Sequence, residues 1–224
     1  MRAALVGASD FNEPHFARER FDMVIAVDGG FAHLTETGHT PDAAVGDFDS
    51  LGYVPKAGDV RVFPPEKDES DLEIACRVAV EAGCGELVLY GCLGQRFDHS
   101  LATMQVMLAQ ARRGWRVFAI GDTYAITALH GAGDTPAGLA FSAIPVDALR
   151  DDLYRNYVSV FAMGGTAHGV WEHGLKYDLD GADVRDDTSL GLSNEFAGTP
   201  AHVVVKEGDL MVVFPLGAWD YLQA

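Results

Sequence analysis

The sequence predicts an α/β domain built on a parallel sheet, followed by a smaller all-β domain, a sandwich or an open barrel. Up to about residue 135, continuous apolar runs of strand length alternate with helical segments, which is typical of parallel strands covered on both faces. Beyond that point, strand-like segments follow one another between glycine, aspartate and proline residues. We therefore expect domains at residues 1–135 and 136–224, with a polar connection near Val146–Asn156.

The elements of the first domain follow from their apolar patterns and their turn residues. Strands are expected at residues 2–7, 23–27, 43–45, 60–63, 87–90, 115–120 and 124–129. Helices are expected at residues 12–20, 31–37, 70–83 and 98–113. The helix at Ser70 has the clearest signal, because Ser70 and Glu73 fit a capping box and Gly83 ends an apolar pattern of helical period.

The second domain is expected to consist of strands alone. Its candidate strands are residues 139–144, 158–163, 174–179, 202–205 and 210–214. Glu207, Gly208 and Asp209 lie between the last two of these and predict a hairpin turn.

The composition limits the partners of the chain. Its 16 basic and 33 acidic residues give a net charge of −17, which repels nucleic acid and anionic membranes, so we expect neither as a partner. No apolar run is long enough to span a membrane and no N-terminal signal is indicated, so we expect a cytoplasmic protein. The three cysteines form no CxxC pair, which favours reduced core thiols over zinc ligands or disulfides.

The stretch Val45–Ser50 is the first candidate site. It follows a short apolar strand, and side chains two apart on an extended segment face the same side. Asp47 and Asp49 would then project together, with Phe48 turned into the core. Two like charges about 4 Å apart repel by roughly 4 kcal/mol at an effective dielectric near 20, so a divalent cation such as Mg²⁺ would stabilise the pair. The alternative is a solvated turn that the Asp and Ser side chains cap.

Further acidic clusters lie in predicted loops. They are Asp28–Gly30, Lys67–Glu73 and Gly94–His99. Each cluster alone has an ordinary explanation, because acids are favoured in the first turn of a helix, where Asp71 lies, and Asp98 could be an N-cap. The cations Lys67 and Arg96 could equally be solvated.

In combination and in order, these clusters resemble the thiamine pyrophosphokinase family, which moves a pyrophosphoryl group from ATP to thiamine. The resemblance runs from about Val24 to Glu195 and includes the segments Gly174–Leu179 and Thr188–Glu195. It implies a Rossmann-like N-terminal domain for nucleotide and metal and a β-sandwich C-terminal domain for thiamine. It also implies Mg²⁺, ATP as co-substrate, and a homodimer with active sites at the subunit interface.

The chemistry of the residues agrees with this resemblance. Transfer of a pyrophosphoryl group to an alcohol needs a metal that neutralises the triphosphate and aligns it with the hydroxyl. We expect Asp47, Asp49 and Asp71 to bind the metal directly or through water, with Asp28 beside them on the phosphate side. Asp98 is the expected base or orienting group for the thiamine hydroxyl, although it could equally bind metal.

Other residues are expected to bind the two substrates. Arg96 and Lys67 are the candidate phosphate contacts, because cationic side chains, and guanidinium above all, suit phosphate oxygens. Glycines would let the nucleotide approach the backbone, and these are Gly29, Gly30, Gly91 and Gly94. By resemblance, Ser193 and Asn194 help to form the thiamine pocket. Trp171 and Phe196 could stack on thiamine, or they could be core residues.

Departures from the family pattern leave two other functions open. The chain has Gln95 where the family usually has Gly and Thr103 where Asn is expected, and Gly7-Ala8 stands where an Asn-Gly pair is expected. One alternative is a related pyrophosphokinase that acts on another alcohol, such as a hydroxymethylpterin. The other is a non-catalytic relative that binds thiamine or nucleotide.

Overall fold

A computed structural model describes residues 1–94, 96–145, 147–149 and 155–223. The chain forms two compact units, the first from residues 1–110 and 115–122 and the second from residues 111–114 and 123–224. Gln95 and most of the predicted connection Val146–Asn156 lie outside the described residues. None of the helices in the described part of the chain is both long and apolar enough to cross a membrane.

The first unit is built on a parallel sheet. Its strands are β1 (Arg2–Val6), β2 (Met23–Val27), β3 (Ala43–Gly46), β4 (Asp59–Val62), β5 (Glu86–Tyr90) and β6 (Arg116–Ile120). They lie in the order β4-β3-β2-β1-β5-β6, and each neighbouring pair is parallel. The central strands are buried on both faces, which explains their continuous apolar sequences. The predicted α/β class with a parallel sheet is confirmed.

Four helices accompany this sheet among the described residues. They are α1 (Glu13–Arg18), α2 (Gly30–Glu36), α3 (Asp71–Glu81) and α4 (Phe97–Arg112). Helix α3 begins with the predicted capping box, in which the Ser70 hydroxyl accepts from the Glu73 N–H and the Glu73 carboxylate accepts from the Ser70 N–H. The cap fixes the first turn of α3, which carries Asp71.

The strand order reverses between β1 and β5. From β1 the chain adds strands on one side through β2, β3 and β4, and it then returns to place β5 and β6 on the other side. Open α/β sheets bind ligands in the crevice outside the carboxyl ends of the strands at such a reversal. The ends of β1 and β5 therefore mark the expected place of a bound nucleotide.

The three cysteines lie in the first unit, and all of them are buried. Cys76 is on α3, Cys84 precedes β5 and Cys92 follows it. None forms a disulfide, as the sequence predicts. Burial raises the pKa of the Cys84 thiol, and it raises that of Cys92 to about 12. The Cys84 and Cys92 thiols therefore remain protonated, and all three buried cysteines act as small apolar core groups.

The second unit is rich in antiparallel strands. They are β7 (Tyr124–Phe141), β8 (Tyr157–Ala162), β9 (Ala167–His173), β10 (Leu179–Val184), β11 (Asn194–Glu195) and β12 (Ala201–Pro215). Strand β12 pairs with β7 along one edge and with β8 and β9 along the other, while β10 pairs with β9 and β11 with β8. A 3-10 helix, Leu216–Tyr221, follows β12.

Several predictions about the second half differ from the structure. The predicted strand at residues 174–179 is wrong, because most of this segment lies between β9, which was not predicted, and β10, which begins at Leu179. The predicted hairpin turn at Glu207–Asp209 is wrong, because these residues lie inside β12, where a bulge after Val205 shifts the register against β7. The predicted strands at 124–129 and 139–144 are largely parts of the single strand β7. The predicted boundary at residues 135 and 136 falls inside β7, within the part of the second unit that spans residues 123–224.

Candidate functional site

Three of the predicted site aspartates come together at the carboxyl ends of β2 and β3 and at the start of α3. Asp28 follows β2, Asp47 follows β3, and Asp71 is the first residue of α3. The pKa of Asp71 is raised, chiefly by burial, and the charges of Asp47 and Asp28 add to the rise. The carboxylates of Asp28 and Asp47 are thus close enough to that of Asp71 to disfavour its charged form. We call these three residues the acidic cluster.

Lys67 pairs with Asp71 of the acidic cluster. Its ammonium lies 3.0 Å from Asp71 Oδ1 and donates to the Pro64 carbonyl at 3.1 Å. The lysine lowers the pKa of Asp71 but does not offset the effect of burial. The three carboxyl groups of the cluster are thus accompanied by one lysine, which pairs with Asp71.

Asp28 is held in a backbone conformation that few residues other than glycine adopt. Its φ angle is 47°, and its N–H donates to the Val45 carbonyl at 2.8 Å. Ser50 Oγ donates to Oδ2 at 2.8 Å, whereas Oδ1 is buried and finds no hydrogen-bond partner in the described part of the chain. A left-handed non-glycine residue with an unsatisfied buried oxygen is the kind of strain that functional sites retain.

The Asp47–Asp49 segment departs from the predicted extended geometry. Strand β3 ends at Gly46, and Phe48 has a left-handed φ of 59°. The Asp49 N–H donates to Asp47 Oδ1 at 3.1 Å, which closes an Asx turn. Strand alternation therefore does not extend to Asp49, which is exposed while Asp47 is half-buried. The predicted inward orientation of Phe48 is confirmed, since its side chain is only 2% exposed.

The donor set of this region suits a hard divalent cation. Carboxylate oxygens are the ligands that Mg²⁺ prefers, and the unpaired Asp28 Oδ1 is a buried acceptor that a cation or its water could satisfy. Among the residues the structure describes, no group of three or more acidic, histidine or cysteine side chains is positioned to hold a metal ion. The predicted ligands Asp47, Asp49 and Asp71 are therefore not a preformed set.

Glycines bring backbone close together where the strand order reverses. Gly91 has a φ of 59°, and a Cβ added to it would lie 2.3 Å from the Gly7 carbonyl oxygen. The Gly7 N–H donates to the Tyr90 carbonyl, and the Ser9 N–H to the Gly91 carbonyl, each at 2.8 Å. At Gly94, a Cβ would lie 2.2 Å from Ser9 Oγ. The predicted residues Gly91 and Gly94 thus line the crevice.

The other predicted glycines support the start of α2. A Cβ at Gly30 would lie 1.8 Å from the Val6 carbonyl oxygen, and one at Gly29 would lie 2.9 Å from Ala8 Cβ. No larger residue fits at Gly30 unless the backbone moves. Gly29 and Gly30 thus set α2 tightly against the chain that leaves β1.

Arg96 and Asp98 pair with each other at the start of α4. The guanidinium donates to the carboxylate at 2.5 and 3.3 Å, and the two side chains are 67% and 65% exposed. The hydrogen bond from Arg96 lowers the pKa of Asp98, while Asp98 raises that of Arg96. Nearby, Thr103 is buried and donates to the Cys92 carbonyl at 2.9 Å. This threonine, where Asn was expected, anchors the loop after β5 to α4.

The segment after β1 contributes residues that sequence reasoning did not select. Gly7 packs against Gly91, and His33 Nε2 lies 2.9 Å from the Ser9 carbonyl. The Phe11 ring stacks on His33 at a centroid distance of 5.5 Å. These contacts fix the Ala8–Asp10 loop beside Gly94. The Gly7-Ala8 pair had been noted only as a departure from the family pattern, and its place beside β5 depends on long-range strand pairing.

In the second unit, Asn194 is buried and fully hydrogen bonded. Its Nδ2 donates to Glu172 Oε2 at 2.7 Å and to the Tyr177 carbonyl at 2.6 Å. Its Oδ1 accepts from the N–H groups of Tyr177 at 3.0 Å and Glu195 at 2.9 Å. The amide therefore connects strand β9, the Tyr177 segment and the turn at Ser193, and it has no capacity left for a ligand.

Ser193 is exposed and strained. Its φ is 58°, and its N–H donates to Ser159 Oγ at 2.9 Å. Of the candidate stacking residues, Phe196 is buried and packs edge-on against Phe141 at 4.9 Å, as the core alternative predicts. Trp171 is half-buried and donates from Nε1 to Asp180 at 3.1 Å.

Comparison with known protein families gives a match on both parts of the chain. Residues 17–119 match the model of the thiamin pyrophosphokinase catalytic domain. Residues 145–210 match the model of the thiamin pyrophosphokinase vitamin B1 binding domain. Together the two models cover more than half of the 224 residues.

The chain belongs to the thiamin pyrophosphokinase family. This confirms the family predicted from the sequence, whose members are transferases. A similar protein is the thiamine pyrophosphokinase of Bacillus subtilis, which is 26% identical over 195 residues that span 84% of this chain and 85% of the relative.

Solved thiamin pyrophosphokinases share the fold. The Bacillus subtilis structure matches with a TM-score of 0.80 and 21% identity over 96% of this chain and 99% of its own. The Geobacillus thermodenitrificans structure gives a TM-score of 0.77 and 26% identity, covering 96% and 97% of the two chains. The Candida albicans structure gives a TM-score of 0.75 at 14% identity, over 96% of this chain and 88% of its own.

Proposed function

We propose that the protein is a thiamine pyrophosphokinase that transfers the pyrophosphoryl group of ATP to the hydroxyl of thiamine, giving AMP and thiamine diphosphate. The observation that carries the proposal is the family match of both domains on a chain whose acidic cluster has three carboxyl groups accompanied by one lysine. The expected layout is a Rossmann-like catalytic domain and a β-sandwich thiamine-binding domain.

Asp47, Asp49 and Asp71 are the proposed metal ligands, with Asp28 beside them. Bound Mg²⁺ neutralises the triphosphate and polarises its oxygens. The chain's own part is to position the carboxylates: the capping box fixes the first turn of α3, which carries Asp71, and the left-handed conformations of Asp28 and Phe48 shape the two loops that carry the other aspartates. The repulsion felt by Asp71 supports the assignment, because an added cation would relieve it.

The phosphate contacts are proposed to come from Lys67 and Arg96, and from the backbone near Gly29, Gly30, Gly91 and Gly94. Lys67 already lies against Asp71 and would contact phosphate from inside the cluster. Arg96 would exchange its exposed contact with Asp98 for a bidentate phosphate contact. Such an exchange costs little, since an exposed ion pair contributes little to stability.

Asp98 is the proposed orienting group for the attacking hydroxyl. Its lowered pKa makes it a weak base, but the loose transition state of phosphoryl transfer needs little deprotonation of the alcohol. Orientation of the hydroxyl is thus its larger contribution. Once Arg96 turns to phosphate, the Asp98 carboxylate is free to accept the hydrogen bond of the thiamine hydroxyl.

Thiamine is proposed to bind against the turn that carries Ser193 and Asn194. The exposed Ser193 hydroxyl is suited to direct contact, whereas Asn194 acts by holding the turn because its amide is fully engaged. The resemblance that suggests this pocket also suggests a homodimer with active sites at the subunit interface, in the cytoplasm.

The test is AMP formation from Mg-ATP by the purified protein, with and without thiamine. Thiamine-dependent AMP with an equal amount of thiamine diphosphate is the expected result. Turnover of a hydroxymethylpterin instead of thiamine would identify a related pyrophosphokinase. Calorimetric binding of thiamine without turnover would contradict the enzymatic proposal and identify a binding protein.

A further inference from the structure

The buried carboxyl of Glu172 has no part in the chemistry proposed above. Glu172 lies on β9, and its side chain is 0% exposed. Its Oε2 accepts from Asn194 Nδ2 at 2.7 Å, while Oε1 is buried without a hydrogen-bond partner in the described part of the chain. Burial raises its pKa against the opposing effect of the Asn194 hydrogen bond. A buried carboxyl destabilises a fold relative to an apolar residue of similar volume, so its presence needs an explanation.

The Glu172 carboxyl lies directly against the turn at residues 191–194. A Cβ added to Gly191 would lie 3.4 Å from Glu172 Oε1 and 2.4 Å from Val160 Cγ2. Gly191 has a φ of 92°, so only glycine suits both the conformation and the space. The Gly191 carbonyl also accepts from the Val160 N–H at 3.0 Å. The turn is thus packed on a surface that includes the Glu172 carboxyl.

Asn194 connects Glu172 to two segments of the family pattern. One Nδ2 hydrogen reaches Glu172 and the other reaches the Tyr177 carbonyl. Without Glu172, that first hydrogen would have no acceptor in a buried site, and the amide could turn away from Tyr177. The strained Ser193, which precedes Asn194, would then lose the support of its neighbour.

We propose that Glu172 is a positioning residue for thiamine recognition, which acts through Asn194 to fix the 191–194 turn and the backbone of Tyr177. The inference rests on the proposed function, because it assumes that thiamine binds beside Ser193. Glu172 itself does not touch the substrate in this proposal. By holding Asn194, it keeps the neighbouring Ser193 in the left-handed conformation in which Ser193 would contact the substrate.

The test compares steady-state kinetics of the full chain and its Glu172→Leu and Glu172→Gln variants. Glu172→Leu keeps the side-chain volume but leaves Asn194 Nδ2 without an acceptor, so KM for thiamine should rise roughly ten- to a hundredfold. KM for ATP should change less than about twofold, since the acidic cluster is untouched. Glu172→Gln should stay within a few-fold of wild type, because its amide oxygen still accepts from Asn194.

Two further variants separate positioning from general loss of stability. Glu207→Leu makes the same substitution at an exposed site on the neighbouring strand β12 and should leave both KM values unchanged. The double variant Glu172→Leu with Asn194→Ala should resemble Asn194→Ala alone, because residues that act through one another are not additive. Should Glu172→Leu fail to fold, Glu172→Met replaces it with a more adaptable apolar side chain.

The outcomes separate this inference from the proposed function. An active wild type whose Glu172→Leu variant keeps its KM for thiamine, or whose double variant is fully additive, overturns the inference alone. A Glu172→Gln variant as impaired as Glu172→Leu also overturns it, because the hydrogen bond would then not be the cause. A wild type that makes no thiamine diphosphate overturns the proposed function first.

Discussion

The acidic cluster of the first unit and the Asn194 turn of the second differ in how fully their polar groups find partners. Around Asp28, Asp47 and Asp71, like charges repel, and Asp28 Oδ1 has no partner in the described residues. Around Asn194, every hydrogen-bonding group of the amide is engaged. The first region keeps a buried acceptor that a cation could satisfy, whereas the hydrogen bonds of the second are complete. Under the proposed function, the first region would bind its ligand by charge and the second by shape.

The largest effect should come from removal of a proposed metal ligand. Asp49→Asn should lower turnover by roughly 10³-fold or more, because metal-based charge stabilisation contributes several kcal/mol. The fold should stay intact, since Asp49 is exposed. Turnover with saturating Mg-ATP and thiamine is the measurement, and Asp59→Asn, an exposed aspartate on β4, is the control. Wild-type turnover in Asp49→Asn would mean that the metal assignment is wrong.

Loss of Asp98 should have the next largest effect. Asp98→Asn keeps a hydrogen-bond acceptor but loses the charge, and a drop in kcat of about 10²-fold is expected for a proton-transfer or orienting group. Because Arg96 lowers the pKa of Asp98 in the protein without substrates, kcat/KM, which reports the ionisations of the free enzyme, should show no loss from this group as pH falls from 8 to about 5. The check is a pH profile of kcat/KM for both proteins, and a steep acidic limb near pH 6 that Asp98→Asn removes would contradict the expectation.

Replacement of Asp71 should raise the thermal stability of the protein, because its carboxyl is partly buried near two other aspartates. Asp71→Asn removes a carboxyl whose pKa is raised by burial and by two neighbouring aspartates, so the melting temperature should rise by a few degrees while activity is lost. Thermal unfolding without Mg²⁺ is the measurement. Mg²⁺ with ATP should stabilise the wild type more than the variant. A lower melting temperature in the variant would show that the ion pair with Lys67 outweighs the repulsion.

The smallest effect concerns the pH dependence of stability in the second unit. The pKa of Glu172 is raised in the folded chain, so the folded state holds its proton longer and loses stability as pH rises from about 4.5 through the folded pKa. Glu172→Gln should flatten this decline.

The pKa of Glu195 is lowered by its ion pair with Lys176, so Glu195→Gln should remove stability above the usual glutamate pKa and nothing well below it. Melting temperatures between pH 4 and 8 test both signs, and parallel curves for the two variants would refute the assignment.

Local sequence signals predict the elements of the first unit well. The capping box of α3 and the buried strands of the parallel sheet depend on residues a few positions apart, and the structure has them where expected. The acidic residues after β2 and β3 follow from the rule that ligands gather at the carboxyl ends of parallel strands. The contact between Gly7 and Gly91 could not be predicted, because it exists only once β1 pairs with β5.

The second unit was harder to predict, because the sequence of one strand that contains a bulge resembles the sequence of two strands joined by a turn. Gly208 and its acidic neighbours have the composition of a hairpin turn, yet they continue β12 through a bulge. Glu172 was missed because no strand was predicted at residues 167–173, where the structure has β9. Alternation along β9 does place it on the same buried face as Val170, which is a signal that sequence reasoning could have used.

The reactivity of the three cysteines can report how often the first unit opens, because all of them lie in that unit. All three thiols are buried there, and the second unit has none. Only the thiolate is nucleophilic, so a thiol with a pKa of about 12, such as that of Cys92, is protected until the surrounding structure opens. The alkylation rate of the unmodified protein thus measures how often the first unit exposes its interior. Slower alkylation in Mg-ATP would give the free energy by which the nucleotide closes that unit, without any engineered label.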